Sequence, residues 1–258
     1  MKSALCLIGL SKGYLDKTPQ TIKENILNVN NVDVFIHTWN DDENDIKTIK
    51  ELFNPKESVF EKQIIFSDDN PFLHKMKSRW YSHKKVLDLK KEYEEKYNFK
   101  YDFVMVARFD LLFFTPFIFS EYDPNFFYLT NEADPNDPHH SSNQMGWNEA
   151  WFLSNSKTMD EYSKLYDHMD EYQEQGKAWA QTYVAGERVG HMADVQDKNF
   201  PGVKKTIDNH FVAKHHAMKI GLATKAKFIK SPPADWVRLG EHGHFTFDAG
   251  VLANRKLK

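Results

Sequence analysis

The chain has 258 residues, of which 41% are hydrophobic and 14% aromatic, a composition that supplies a sizeable core and excludes a wholly disordered protein. A net charge of −3 creates no global basic field, so nucleic acid is not an expected partner. A single cysteine, Cys6, rules out a disulfide within the chain and fits a reducing, cytoplasmic setting.

Residues 3–8 form an apolar run ending in Gly9-Leu10-Ser11. This predicts a buried strand followed by a glycine-containing turn, where α/β folds hold phosphates or nucleosides. The run is too short for a signal h-region or a membrane span, so no transmembrane segment is expected. Neither G-x-G-x-x-G nor G-K-[ST] occurs, which removes the dinucleotide fingerprint and the P-loop. Residues 18–28 predict a helix with Ile22, Ile26 and Leu27 on one face. Residues 32–39 read as a second apolar strand ending in His37-Thr38-Trp39, and 60–66 as a third with a loop over 67–71. The longest helical pattern covers 76–97, its far end carrying opposite charges at helical spacing.

Next comes the most informative stretch, residues 101–114, an apolar run interrupted by Arg108 and Asp110. Side chains two apart on an extended chain share a face, so a cation and a carboxylate stand side by side where the strand leaves the sheet. Charges rarely enter cores unless paired or ligating. The pair reads either as a structural ion pair or as a site for a charged ligand, such as a diphosphate with its divalent metal. Residues 126–130 predict a strand, 131–148 a polar loop, and 150–153 a return to the core. A helix over 156–172 follows, with Ser154 or Ser156 as N-cap, then a helix near 211–220, a strand-like 227–229 and a Gly/His-rich segment at 240–244.

Strands alternating with helices predict an α/β fold, Rossmann-like, with a mainly parallel central sheet flanked by helices in one domain over 1–258. Ligands gather at the carboxyl ends of strands in such sheets. Three predicted strands end in ligand-competent groups (Gly9/Ser11, His37/Thr38 and Arg108/Asp110), which points to one cleft. The histidine pairs His139-His140 and His215-His216, and Glu241-His242-Gly243-His244, lack the H-E-x-x-H spacing of a zinc hydrolase. His242 and His244 read as a polar surface loop or as groups folding back onto a diphosphate or its metal.

The order of motifs resembles the GT-A-type glycosyltransferases, in particular the small enzymes that build bacterial surface polysaccharides and the glycans of large DNA viruses. The resembling pieces are Ala4-Leu5-Cys6-Leu7-Ile8-Gly9, Asp33-Val34-Phe35-Ile36-His37-Thr38-Trp39, Ser78-Arg79-Trp80-Tyr81-Ser82, the run from Asp102 through Asp110, and Trp151-Phe152-Leu153-Ser154. They cover about the first two-thirds of the chain in order. The resemblance implies a nucleoside-diphosphate sugar donor and an oligosaccharide or glycan acceptor, with 1–130 binding the donor and 131–258 forming the acceptor side and tail. It also implies Mn²⁺ or Mg²⁺ held by an Asp-x-Asp motif, because a leaving diphosphate must be neutralised and hard cations take oxygen ligands. The matching triplet here is Arg108-Phe109-Asp110, with one carboxylate instead of two. Asp110 is then the metal or ribose ligand, and Arg108 either supplies positive charge or pairs with an acid.

By the same resemblance Gly9, Leu10 and Ser11 line the base and ribose pocket, and His37 and Thr38 contact nucleotide or diphosphate. For His37 a hydrogen-bonded core histidine is the competing reading. Arg79 meets phosphate oxygens or is an exposed surface arginine. Glu149, just before the strand at 150–153, is the candidate base for the acceptor hydroxyl or else an exposed loop carboxylate. Trp147 stacks on an acceptor sugar or packs inside. Two other classes compete: a metal-dependent phosphohydrolase or nucleotidyltransferase built on Asp110, and a non-catalytic carbohydrate-binding protein that kept the fold. The tail from about Asp194 onward either caps the donor or recognises the acceptor.

Overall fold

The computed structural model describes residues 1–11, 14–68, 70–130, 147–173, 209–229 and 236–238. Strands β1 (Ser3–Gly9), β2 (Val32–Trp39), β3 (Glu57–Glu61), β4 (Phe103–Arg108), β6 (Phe127–Thr130), β7 (Trp151–Ser154) and β8 (Ala226–Ile229) form a seven-stranded sheet of order β3-β2-β1-β4-β7-β6-β8. The short β5 (Leu111–Phe113) pairs separately and antiparallel with β9 (Trp236–Arg238). Within the large sheet β7 runs antiparallel to both neighbours, and every other pairing is parallel. The mainly parallel α/β sheet expected from the sequence is present.

Parallel strands are covered on both faces and so read as continuous apolar runs. One face of β1 and β4 presents Ala4, Cys6, Ile8, Val104 and Val106, packed with Trp80, Val86 and Leu87. The other presents Leu5, Leu7, Phe103, Met105 and Ala107, packed with Ile22, Ile26, Ile49 and Phe53. Cys6 is a buried free thiol whose pKa burial pushes up, so it acts as a small apolar side chain. No helix among the described residues is long and apolar enough to cross a membrane.

Helix α1 (Thr18–Ile22) runs on into a π-helical turn over Lys23–Leu27, matching the predicted span. Helix α2 (Glu43–Phe53) was not anticipated; Asp42 caps it by accepting from the backbone N–H groups of Asn44 and Asp45, and Asn54 closes it with φ 42°. The third strand sits at Glu57–Glu61, earlier than the predicted 60–66, because its partners are Phe35 to Trp39 of β2, and Ile64 and Ile65 stay exposed. Helix α3 (Pro71–Tyr97) starts one turn before the predicted 76, with Asn70 as N-cap, Pro71 in the first turn and Asn98 at φ 51° ending it. Helix α4 (Ser156–Ser163) is capped by Asn155, whose side chain accepts from Thr158 N–H, and not by Ser154 or Ser156; a 3₁₀ segment, Lys164–His168, follows. Helix α5 (Asn209–Lys219) agrees with the expected late helix. The expectations for His139, His140, His242, His244 and the tail after Asp194 lie outside the described residues.

Candidate functional site

The chain leaves β1, moves outward through β2 and β3, then returns to pair β4 on the other flank of β1. Such a reversal opens a crevice at the carboxyl ends of the strands. The register sets Gly9 opposite Thr38 and Ile8 opposite Arg108, so the three predicted strand ends stand at one level. Gly9 has φ +93°, a region that glycine enters without steric cost, and its N–H donates to Ser82 Oγ at 3.1 Å. Leu10 beside it is exposed.

Arg108 grips Asp110 as a two-pronged fork: Nε donates to Oδ1 at 2.8 Å and Nη2 to Oδ2 at 2.6 Å. Its remaining nitrogen, Nη1, lies 3.5 Å from Oε1 of Glu149. From α3, Arg79 Nη2 donates to the backbone carbonyl of Glu149 at 2.6 Å. From α5, His210 Nδ1 donates to the Trp147 carbonyl at 3.0 Å and stands 2.8 Å from Glu149 Oε2, a close ionic contact without hydrogen-bond alignment. Two guanidiniums, two carboxylates and an imidazole thus converge from β4, α3, the turn before β7 and α5. The four formal charges of Arg79, Arg108, Asp110 and Glu149 balance.

These contacts set the protonation states. Burial opposes the charge on Arg108, but Asp110 beside it overrides burial and raises the guanidinium pKa. Burial pulls Arg79 down to about 10, against the attraction of Glu149. Burial also opposes ionisation of Glu149, yet His210, Arg108 and Arg79 together hold its carboxyl well below the usual carboxylate range. A carboxylate so stabilised is a weak proton acceptor, which weighs against the expectation that Glu149 is itself the base.

Other expected roles change for equally physical reasons. Arg79 is buried behind Glu149 and holds its turn, so it is neither an exposed arginine nor an outward-facing phosphate fork. His37 is fully buried, with Nδ1 2.7 Å from Ser82 Oγ and Nε2 2.7 Å from Glu61 Oε1. Both ring nitrogens are thereby hydrogen-bonded within the protein, as in the competing reading. Thr38 donates to Ser11 Oγ at 2.9 Å and Asn40 Nδ2 donates to the same oxygen at 3.0 Å, so these buried groups brace the loop after β1. Trp147 is buried, with its ring stacked on Phe127 at 5.6 Å between centroids, so it packs in the core and presents no face to a sugar.

Among the described residues no three His, Cys, Asp or Glu side chains converge in a way that could hold a metal ion. Both oxygens of Asp110 also face the Arg108 fork. Among the described residues, Asp110 therefore stands without companion carboxylates for the Mn²⁺ or Mg²⁺ implied by the resemblance.

Sequence reasoning missed Ser82 and His210. Ser82 lies three residues after Arg79, on the same side of α3, and ties Gly9 to His37. His210 is separated from Glu149 by 61 positions and carries no motif that links the two. Tyr14, also missed, lies near enough to Arg108 for its charge to act on the guanidinium. No protein-family model matches this chain, and no curated protein matches it.

Proposed function

We propose that this chain is a glycosyltransferase that moves a sugar from a nucleoside-diphosphate sugar to a hydroxyl of a glycan, on a GT-A-type nucleotide-binding sheet. The observation that carries this reading is the convergence of Arg108, Asp110, Arg79 and Glu149 beside the Gly9 turn, at the point where the strand order reverses. Burying four charged groups at a strand end has a large desolvation cost, and a hydrophobic substitute often stabilises as well or better. Ligand recognition supplies the reason to keep them.

On this reading Asp110, fixed in orientation by Arg108, accepts hydrogen bonds from ribose or donor-sugar hydroxyls, since each carboxylate oxygen can accept more than one. Arg108 Nη1 faces the leaving diphosphate, with the positive charge of Arg79 behind it. Electrostatic stabilisation in a dry site is a large contribution to such a displacement. The hydrolase and nucleotidyltransferase readings are less well supported, because paired-metal chemistry asks for clustered carboxylates and Asp110 is bridged by an arginine.

The test is a thermal-shift and calorimetric screen of UDP, GDP, CDP and dTDP sugars, with and without Mn²⁺. A ligand of the folded state raises stability by mass action, so one donor is expected to stand out. Asp110→Ala is expected to weaken that donor's binding and to remove most turnover in a folded protein. Full activity in Asp110→Ala overturns the site, and a flat screen with folded protein moves the reading to a non-catalytic carbohydrate-binding role.

A further inference from the structure

A chain of hydrogen bonds spans β1, β2 and β3 through one residue of α3. Gly9 N–H donates to Ser82 Oγ at 3.1 Å, Ser82 Oγ lies 2.7 Å from His37 Nδ1, and His37 Nε2 lies 2.7 Å from Glu61 Oε1. A carboxylate only accepts, so Glu61 draws the single proton of the neutral ring to Nε2. Burial lowers the His37 pKa against the pull of Glu61, which leaves the ring neutral at pH 7. Nδ1 is then an acceptor, so the Ser82 hydroxyl donates to it and turns its lone pairs to Gly9 N–H. The His37 carbonyl, an alternative acceptor for that hydroxyl, stands farther off at 3.4 Å. The imidazole has little room to turn, because Trp39 and Tyr81 meet it edge-on with centroids 4.8 and 5.6 Å away. Tyr81 stacks on Trp39 and hydrogen-bonds Glu61, which fixes the outer end. At the inner end, among the described residues other than its chain neighbours, nothing lies within 4 Å of where a Cβ on Gly9 would stand. The backbone there is open to close approach by a ligand.

We propose that Ser82, His37 and Glu61 are positioning residues for the donor, acting as one relay that fixes the Gly9 turn against the nucleoside-diphosphate sugar; this rests on the glycosyl-transfer reading above. Glu61, at the carboxyl end of β3, sets the tautomer of a buried histidine. That tautomer sets the direction of a buried hydroxyl, and the hydroxyl holds the amide beside the site. Hydrogen bonds aligned in one direction polarise one another, so the links strengthen together. Loss of the carboxylate therefore loosens the turn without any contact between Glu61 and the donor. Thr38 and Asn40 hold Ser11 two residues on, so the loop after β1 is tied at both of its buried anchors.

The experiment compares wild type with Ser82→Ala, Glu61→Ala and the double variant, with thermal melts to verify folding. Calorimetry gives the affinity of each protein for UDP, GDP, CDP and dTDP sugars. Ser82→Ala is expected to weaken the donor that wild type binds by about 10-fold, the worth of one hydrogen bond. Glu61→Ala weakens it by about 5-fold, and the double variant is no weaker than Ser82→Ala, because both changes break the same relay. ¹⁵N spectra of histidine-labelled protein, with His37 assigned through His37→Gln, place the ring proton on Nε2 in wild type. In Glu61→Ala the proton spreads over both nitrogens, a signature that a merely structural carboxylate does not give. Losses that multiply to about 50-fold in the double variant overturn the relay, since they mark independent contacts. So does wild-type donor affinity in Ser82→Ala, or a ring proton on Nδ1 in wild type. If wild type binds no donor, the glycosyl-transfer reading fails and this assignment with it. The histidine spectra need no donor, so a relay that runs the wrong way is seen separately from that failure.

Discussion

Lys90 is a buried cation and Arg108 a half-buried one, and their surroundings separate a structural role from a functional one. Lys90 is fully buried on α3, and its Nζ meets Glu94 Oε2 at 3.1 Å, Ser156 Oγ at 2.6 Å and Asp160 Oδ1 at 2.5 Å. Glu94 in turn accepts from the Tyr101 N–H, from Lys100 and from Ser156. Those residues flank the start of β4, at the end of the sheet away from the crevice, and their hydrogen-bonding capacity is spent on one another. Lys90→Met removes one partner and leaves two acids without their buried counter-charge. It is expected to destabilise the protein by about 3–5 kcal/mol, read from urea unfolding. Arg108 differs in standing at the crevice, 19% exposed, with a nitrogen turned toward a second carboxylate.

At the level of elements, α3 organises the candidate site. Its first half lies over the carboxyl ends of the strands, and successive turns present Arg79 to Glu149, Trp80 to Asn209 and Ser82 to Gly9 and His37. The motif Ser78-Arg79-Trp80-Tyr81-Ser82 is therefore the segment where one helix touches the ends of β1 and β2, the turn before β7 and the start of α5. Helix formation there relies on a cap: Asn70 Oδ1 accepts from the Leu73 N–H at 3.1 Å, ahead of Pro71. Asn70→Ala is expected to lower stability by about 1 kcal/mol in thermal or urea melts, the usual worth of an N-cap. A helix start that frays would loosen Arg79 two turns later, so donor affinity is the second quantity to follow. Helix α2 carries a weaker local signal: Asp42 precedes Ile46, Ile49 and Phe53 at helical spacing, but a charged background masks the short apolar stripe.

Across the whole molecule, burial of histidine couples stability to pH. His37, His83 and His216 all have pKa values lowered from 6.5, chiefly by burial, with His216 down to about 4. A group that the folded state keeps neutral binds more protons when unfolded, so stability rises with pH between its folded and unfolded pKa values. The contribution is complete above about 6.5 and is lost as pH falls toward 4, with His216 alone worth roughly 3 kcal/mol over that window. The expected outcome is a melting temperature that falls steadily from pH 7 to pH 4.5. His216→Gln, which removes one titrating group, flattens the slope; an unchanged slope in that variant refutes the assignment.

What the sequence determined by itself follows from local physics. Unbroken apolar runs announce parallel strands because such strands are buried on both faces, and Arg108 with Asp110 stands out because charge in such a run is costly. The α/β class, the positions of β1, β2 and β4 and the chemical oddity at 108–110 were legible for that reason. The antiparallel β7, the end of β3 and the identity of the groups around Glu149 were not, because each depends on which distant segment comes to lie alongside. Nothing local to Glu149 says that Arg108, Arg79 and His210 surround it, yet those neighbours move its carboxyl from a candidate base to a group held ionised. His37 and Trp147 likewise read as ligand contacts until packing places them inside. Residue type sets what a side chain is able to do, and long-range electrostatics and burial, fixed only when the chain closes on itself, decide which of those things it does.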